Sequence, residues 1–422
     1  MRNRERDAEL GLFGGLAEYW LQFRRFHRNG KLLLASTLLG SLSVGSFSVG
    51  YNLYLVELGI AEDRLGFLVG AGSLAAGAVA IPAGLLATRI GLKAIILWAS
   101  AALAVGTALQ ILPRAYPAIL AGNVLGGAGS VMWAVALTPL LAAGADDRGR
   151  PYLFTLSSLA FLSVTFAGNL LAGFGPRALA GALSVPLDTG YLGVLGITSV
   201  ISGLGLLPLL FLVEIPAPAD NVLRQLVAAF KQRIVVAKLL AVHASIALGA
   251  GLVIPFLNVY FVKVVGLSEA HFGLLAGAGL LTRLALTSFG PALGGHLGKL
   301  RAVGFTQLLS IPLLLAMAFL PTPILASAAY LGRGALMNMA QPLRSAFYME
   351  AVEPDSRPAV NSLMLVSWNV AWAGGSAAGG ALLGAGLSQI QFGLTATLYA
   401  LASTMLLVAF THRRKSDPAR QS

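Results

Sequence analysis

The chain contains no cysteine and very little charge. Without cysteine there can be no disulfide framework, thiolate metal site or cysteine nucleophile. Charged residues make up 11% of its 422 residues, against about 25% in a soluble domain, a deficit too large for a soluble core of any fold. Acidic residues are the scarcer sign, 17 against 29 Lys and Arg. Five scattered histidines show no zinc-type pairing, so no metal or other cofactor is expected. Catalytic motifs are missing too. Gly294 to Lys299 superficially suggests a phosphate loop, but only three residues separate Gly294 from Gly298, and Leu300 stands where Ser or Thr is required. Gly374-Gly375-Ser376-Ala377-Ala378 misses the last glycine of a serine-hydrolase elbow. An enzyme is therefore not expected, and an intramembrane enzyme or receptor stands only as the alternative from a different class.

What the chain has is length and apolarity. Hydrophobic residues reach 57% and mean hydropathy is +0.79. The 50 glycines and 19 prolines sit inside apolar runs, as they do in membrane helices. Runs of about 18 to 25 apolar residues are long enough to cross a hydrocarbon core of roughly 30 Å. They predict twelve spans, near 32–56, 65–88, 92–112, 116–142, 151–175, 190–213, 236–262, 271–293, 301–320, 324–348, 358–384 and 390–411. An even number puts both termini on one side. With that side taken as cytoplasmic, 22 Lys and Arg fall in the tails and inner loops, four in outer loops, and Arg283, Arg333 and Arg344 inside spans. This positive-inside bias accounts for the net charge of +12. The basic balance then implies an anionic inner leaflet as neighbour, and no nucleic acid. The first 31 residues are expected to hold an interfacial helix, with Leu12, Phe13, Leu16, Trp20 and Phe23 at helical spacing and Arg24, Arg25 and Arg28 following, rather than a cleavable signal.

Two halves of the sequence overlay on each other. Asn52-Leu53-Tyr54 matches Asn258-Val259-Tyr260 at an offset of 206, and Gly66, Gly70 and Gly72 match Gly273, Gly277 and Gly279 at 207. Arg150-Pro151 matches Arg357-Pro358, and Gly168 and Gly173 match Gly375 and Gly380, again at 207. Six spans per half make the repeats parallel, related by an axis along the membrane normal. Transporters built this way bind near the midplane between halves that rock, and the twofold repeat without a charged ring disfavours a channel. The expected organisation is an N-terminal segment 1–31, a six-helix bundle 32–213, a linker 214–235 with a short helix at 222–231, a second bundle 236–411 and a tail 412–422.

Between the second and third spans stand Gly84, Thr88, Arg89, Gly91 and Lys93. The stretch resembles the loop signature G-x-x-x-D-R-x-G-x-K of the major facilitator superfamily, with Thr88 in the place of the aspartate. The resemblance covers the whole chain in span count, repeat and loop. It implies an all-α membrane protein of about 12 helices in two pseudo-symmetric bundles, and a monomeric secondary carrier of the bacterial inner membrane working by alternating access. It also implies that Gly84, Arg89, Gly91 and Lys93 take part in the cytoplasmic gate. Gly168, Ala172 and Gly173 are similar to the family's antiporter signature without its proline; close helix packing is the commoner use of such glycines.

In the family, spans one, four, seven and ten line the cavity. From these spans the substrate-site candidates are Arg333, Asn52, Asn123, Trp133, Asn258, Asn338 and Gln341, joined by Arg283 of the eighth span and Trp368 of the eleventh. An arginine near the bilayer centre costs about 2.5–3.5 kcal/mol on insertion scales, so Arg333 and Arg283 are the sharpest candidates, for an anionic group on a substrate. Their bland alternative is hydrogen bonding to carbonyls or amides. Arg344 and Glu350 could pair at the inner end, and Pro139 and Pro342 could mark gating bends. Glu57, His243 and Glu350 are the only coupling candidates, all peripheral. Efflux of a small amphipathic compound is the first expectation. Uptake or exchange of an organic anion, and lipid movement, are the alternatives.

Overall fold

A computed structural model describes residues 12–215, 222–287, 289–320 and 322–411, and among them all regular structure is helical. A short helix α1 (Leu12–Arg25) precedes the first span, α2 (Arg28–Glu57). Spans two to five are α3 (Glu62–Ile90), α4 (Leu92–Ile111), α5 (Tyr116–Ala142) and α6 (Arg150–Leu183). The sixth is α7 (Leu187–Gly203) with the short α8 (Leu206–Leu210), and α9 (Val222–Lys231) lies between the halves. The second half comprises α10 (Arg233–Val253), α11 (Glu269–Thr287), α12 (Gly290–Leu297), α13 (Lys299–Phe319), α14 (Pro323–Met339), α15 (Gln341–Glu350), α16 (Arg357–Gly384) and α17 (Ser388–Thr411). Ten described helices are long and apolar enough to cross a membrane. The tenth span is cut in two, and α16 is diluted by Gly, Ser, Asn and Trp. The tail 412–422 lies outside the described residues.

Three departures from the apolar pattern have local causes. The fifth span runs on to Leu183, two turns past its predicted end, with Pro176 buried inside the helix. The seventh span leaves α-geometry at Ile254–Phe256, where Pro255 lacks an N–H, and ends in a π-helical stretch at Tyr260–Val264. The tenth breaks at Ala340, beside Pro342. The predicted span 324–348 holds both Arg333 and Arg344; the break places them on separate helices. Pro139, by contrast, sits within an unbroken α5 three residues before its end.

The repeat is visible as packing. In the first half α2 crosses α6 and in the second α10 crosses α16. The crossings use equivalent glycines, Gly45 with Gly168 and Gly251 with Gly375, where a methyl group would strike the facing backbone. Tyr54 Oη donates to the Ile111 carbonyl at 2.8 Å, and its equivalent Tyr260 donates to Met317 at 2.7 Å. Between the halves, α3 packs on α16 and α6 on α11.

Candidate functional site

The twelve spans alternate in direction, so Arg28 and Thr411 mark one end of the bundle, the terminal end. At the opposite end the halves are joined. A Cβ on Gly66 would lie 2.5 Å from the Ser376 carbonyl and 2.9 Å from Gly380 Cα, so α3 and α16 touch through their backbones. The equivalent contact is Gly273 on Gly173, 3.0 Å from its Cα. Asn52 Nδ2 donates to the Pro255 carbonyl at 2.6 Å, and Asn258 Nδ2 donates back to the Val49 carbonyl at 3.0 Å. The carbonyl of Pro255 is available because the helix is broken there. Two ion pairs complete the join: Arg177 with Glu269 through two hydrogen bonds of 2.7 and 3.0 Å, and Lys263 with Glu62 at 3.6 Å. Glu62 and Glu269 are repeat equivalents at offset 207, and each pairs with a cation of the other half. Among the described residues, the polar side-chain contacts between the halves cluster at this end.

Toward the terminal end the halves separate around a cavity of about 1130 Å³. Its walls are unequal. The first half supplies hydroxyls from five spans, including Ser41, Ser100, Thr107, Ser130, Ser158 and Ser202, with Gln110 and the rings of Phe47, Trp133, Phe154 and Phe161. The second half supplies a single face, Leu280, Arg283, Leu284, Thr287, Gln341, Pro342 and Ser345. Among the described residues, Arg283 is the only charged side chain in the lining, which includes no carboxylate. Its Nη2 donates to Gln341 Oε1 at 3.1 Å, which steers the guanidinium across the break of the tenth span.

Of the nine substrate-site candidates, the cavity gathers Arg283, Trp133 and Gln341. Arg333 lies outside it. It is buried between α14 and α17, donates to Tyr399 Oη at 2.7 Å and stacks over the Tyr399 ring at 5.7 Å. Its partner is a phenol, neither an anion nor the carbonyl or amide of the alternative, and its Nε is buried with no hydrogen-bond partner among the described residues. Asn52 and Asn258 are spent on the join. Asn123 holds Tyr51 Oη at 2.7 Å, and Asn338 bonds the Gly334 carbonyl of its own helix. Trp368 stacks on Trp372 at 5.8 Å and lies 5.0 Å from the His243 ring. The hydroxyls and carbonyls that hold Arg333, Asn123, Asn52 and Asn258 come from partners distant in sequence, which spacing does not reveal.

The gating and coupling candidates are placed as follows. Gly91 adopts φ +89°, open to glycine, and its equivalent Gly298 adopts +78°. The Glu214 carboxylate packs on Gly91 and accepts the Lys93 N–H at 3.2 Å, capping α4. Arg89 is exposed, and Gly84 has open space beside it. Glu350 pairs with Lys299 of its own half, not with Arg344. Glu57 is exposed at the joined end, and His243 is packed against Tyr348 and Trp368. None of the three coupling candidates lines the cavity. Sequence reasoning missed the hydroxyls of spans three, five and six and the Glu62–Glu269 pair; the offset of 207 could have found the pair.

A sequence profile described as Major Facilitator Superfamily matches residues 33–376. The chain belongs to the major facilitator superfamily. It is thus a multi-pass membrane protein with a secondary-transporter fold. No curated protein sequence matches it. Among solved structures, a mutant of the nucleoside transporter NupG is similar with a TM-score of 0.72 at 16% identity, over 90% of this chain and 100% of that one. A bacterial homologue of the human lysosomal transporter Spinster, inward-facing and unoccupied, gives 0.68 at 15% over 90% and 98%. The human organic anion transporter MFSD10 gives 0.60 at 17% over 90% and 99%. At these identities the likeness speaks for the superfamily's fold and leaves the cargo to be argued from the cavity.

Proposed function

We propose that the protein is a secondary transporter that exports a small amphipathic organic anion by alternating access, acting as a monomer in a bacterial inner membrane. The observation that carries this reading is the cavity with aromatic walls and one uncompensated guanidinium, Arg283. A lone cation in the wall of such a cavity, with no carboxylate among the described lining residues, attracts an anionic group. The aromatic rings supply the apolar contact area of a ligand site. The positive-inside bias argues for a cytoplasmic terminal end, from which this conformation would receive cargo. Efflux is the first reading, and the same cation suits uptake or exchange of an organic anion as the second.

Movement of cargo requires the joined end to open and the terminal end to close. The Asn52–Asn258 clamp, the two ion pairs and the glycine contacts then release together, and Gly91, Arg89 and Lys93 approach the other half. With no carboxylate or histidine among the described lining residues, the cycle is better served by exchange against another solute than by a proton carried through the cavity. The test is transport by purified protein in liposomes loaded with a panel of organic anions, with and without a proton gradient. Counterflow of one anion that is lost in Arg283→Gln and kept in Arg333→Gln is the expected result. Transport unaffected by Arg283→Gln ends this reading, and rates that follow the proton gradient end the exchange cycle.

A further inference from the structure

The two walls of the cavity differ in hydrogen-bonding sense as well as in size. A serine or threonine hydroxyl has one proton to donate and lone pairs to accept with. In a helix the proton commonly goes to a carbonyl three or four residues back. Five hydroxyls of the first-half wall have made that choice, and a sixth, Ser202, donates across to a carbonyl of the first span. Ser41 donates to Thr37 at 2.5 Å, Ser100 to Ile96 at 2.8 Å and Thr107 to Leu103 at 2.9 Å. Ser130 donates to Gly127 at 2.7 Å, Ser158 to Phe154 at 2.9 Å and Ser202 to Leu39 at 3.1 Å. Gln110 is spent the same way, its amide nitrogen on the Gly122 carbonyl at 3.0 Å, leaving the amide oxygen. What these groups keep for a ligand is lone pairs. On the opposite wall Thr287 is spent likewise, on the Arg283 carbonyl at 2.7 Å, but the pair beside it is reversed. Arg283 has only donors, and Gln341 accepts from Arg283 through Oε1, which leaves its amide N–H groups free.

We infer that the cavity takes a cargo with two unlike ends: an anionic group at Arg283 and Gln341, and a donor-bearing end, amino, amide or hydroxyl, against the first-half wall. This rests on the reading of the cavity as the cargo site and narrows it from amphipathic anions to donor-bearing ones, zwitterions included. A cargo whose far end carried only acceptors would face acceptors there and leave both unpaired, which is where binding sites discriminate most sharply.

The test uses full-length protein in lipid nanodiscs and equilibrium binding of a matched panel. Each member is an aromatic amino or hydroxy acid, the same acid with its N–H and O–H groups fully methylated, and its methyl ester. The proteins are wild type, Arg283→Gln and the double variant Ser130→Ala/Ser158→Ala. Both serines are exposed to the cavity, so their truncation leaves the fold intact, and unliganded melting temperatures check this. Donor-bearing acids are expected to bind, with methylation weakening them about tenfold through the loss of one or two hydrogen bonds. The double variant should weaken the donor-bearing acids by about the same factor and leave the methylated ones unchanged. Arg283→Gln should weaken every acid about thirtyfold, down to the level of its ester, since a charged hydrogen bond is lost. If methylated acids bind as well as their parents, or the double variant changes nothing, the two-ended cargo is wrong while loss in Arg283→Gln still upholds the cargo site. If no acid binds, or neither variant alters any binding, both readings fall.

Discussion

The two halves share a skeleton and differ in their interiors. Equivalent glycines let α2 cross α6 and α10 cross α16, equivalent tyrosines tie the first and seventh spans down, and equivalent carboxylates reach across the join. The space between the spans is not shared. Where the first half has Thr37, Leu141 and Phe161 in the cavity wall, the second has His243, Tyr348 and Trp368, packed ring against ring. Where the first half has Ser100 in the lining, the second has Gln307, buried and bonded to Ser403 at 3.0 Å. Duplication has kept the contacts that set helix geometry, which have one solution at backbone distance, and released the side chains that merely fill volume. One half is the vessel and the other its packed counterweight, with Arg283 facing across.

The strongest test of the shared skeleton is to damage both glycine contacts equally. Gly66→Val and Gly273→Val each place side-chain atoms inside a backbone contact, within 2.5 Å of Ser376 O and 2.8 Å of Asn169 O at the first carbon. Overpacking of this kind costs about 1–3 kcal/mol or more, and here the halves can escape it by parting. Both variants should hold the joined end open and reduce transport to background. Cross-linking across that end, in the wild type and each variant, measures it. A variant that cross-links and transports normally shows that its seam is not part of the shared skeleton.

The unlike interiors are tested by exchanging equivalents. Thr37→His with Phe161→Trp brings the second half's rings into the vessel; Phe161 is exposed and Thr37 buried, so cargo binding should be largely lost while overpacking at Thr37 costs about 1–3 kcal/mol. The reverse pair, His243→Thr with Trp368→Phe, empties a packed site. It should cost about 2–4 kcal/mol by the cavity rule, read as a lower melting temperature, with transport retained below that temperature. Equal binding losses in both pairs would remove the distinction between vessel and counterweight.

How far this contrast was legible in the sequence depends on the range of the interaction. Span count, the linker helix at 222–231 and the parallel repeat follow from periodicity and offset, because burial in lipid leaves a signature in each run. The break beside Pro342 followed from proline chemistry. The side of the helix on which a polar residue works did not follow. Arg333 and Arg283 look alike in sequence, each a lone cation in an apolar run; only the fold puts Tyr399 against one and open space against the other. The asparagines looked like ligands and are the clamp, because the carbonyl that Asn52 needs exists only once Pro255 has broken a helix 203 residues away. The hydroxyls of the third, fifth and sixth spans carried no signal, since serine in a membrane helix is satisfied by its own backbone whether or not it faces a cavity.

Within the shared skeleton the two ion pairs should still be unequal. Glu269 is buried, with 7% of its side chain exposed, and meets Arg177 in a two-point contact. Glu62 is 23% exposed and meets Lys263 at 3.6 Å. A buried, doubly bonded carboxylate contributes more than a half-wet one at longer range. Double-mutant cycles on the closed state should give about 1.5–3 kcal/mol of coupling for Arg177–Glu269 and less than about 1 kcal/mol for Lys263–Glu62. Identical couplings would mean that the carboxylates, and not their surroundings, set the strength of the join.

The smallest effect is expected at the two loops of the terminal end. In the first half Glu214 caps α4 by accepting the Lys93 N–H and packing on Gly91. In the second half the same turn, at Gly298, is flanked by the ion pair of Lys299 and Glu350, with 43% and 55% of the two side chains exposed. A carboxylate at a helix N-terminus gains from the cap and from the dipole, about 0.5–1 kcal/mol together. An exposed ion pair between flexible side chains contributes about 0–0.5 kcal/mol. Glu214→Gln should therefore lower the melting temperature slightly and Glu350→Gln not measurably, and high salt should erase even the first difference. The order matters more than the size. If Glu350→Gln costs more than Glu214→Gln, the second-half loop is the better anchored of the two, and closure of the terminal end must begin from the first half's side.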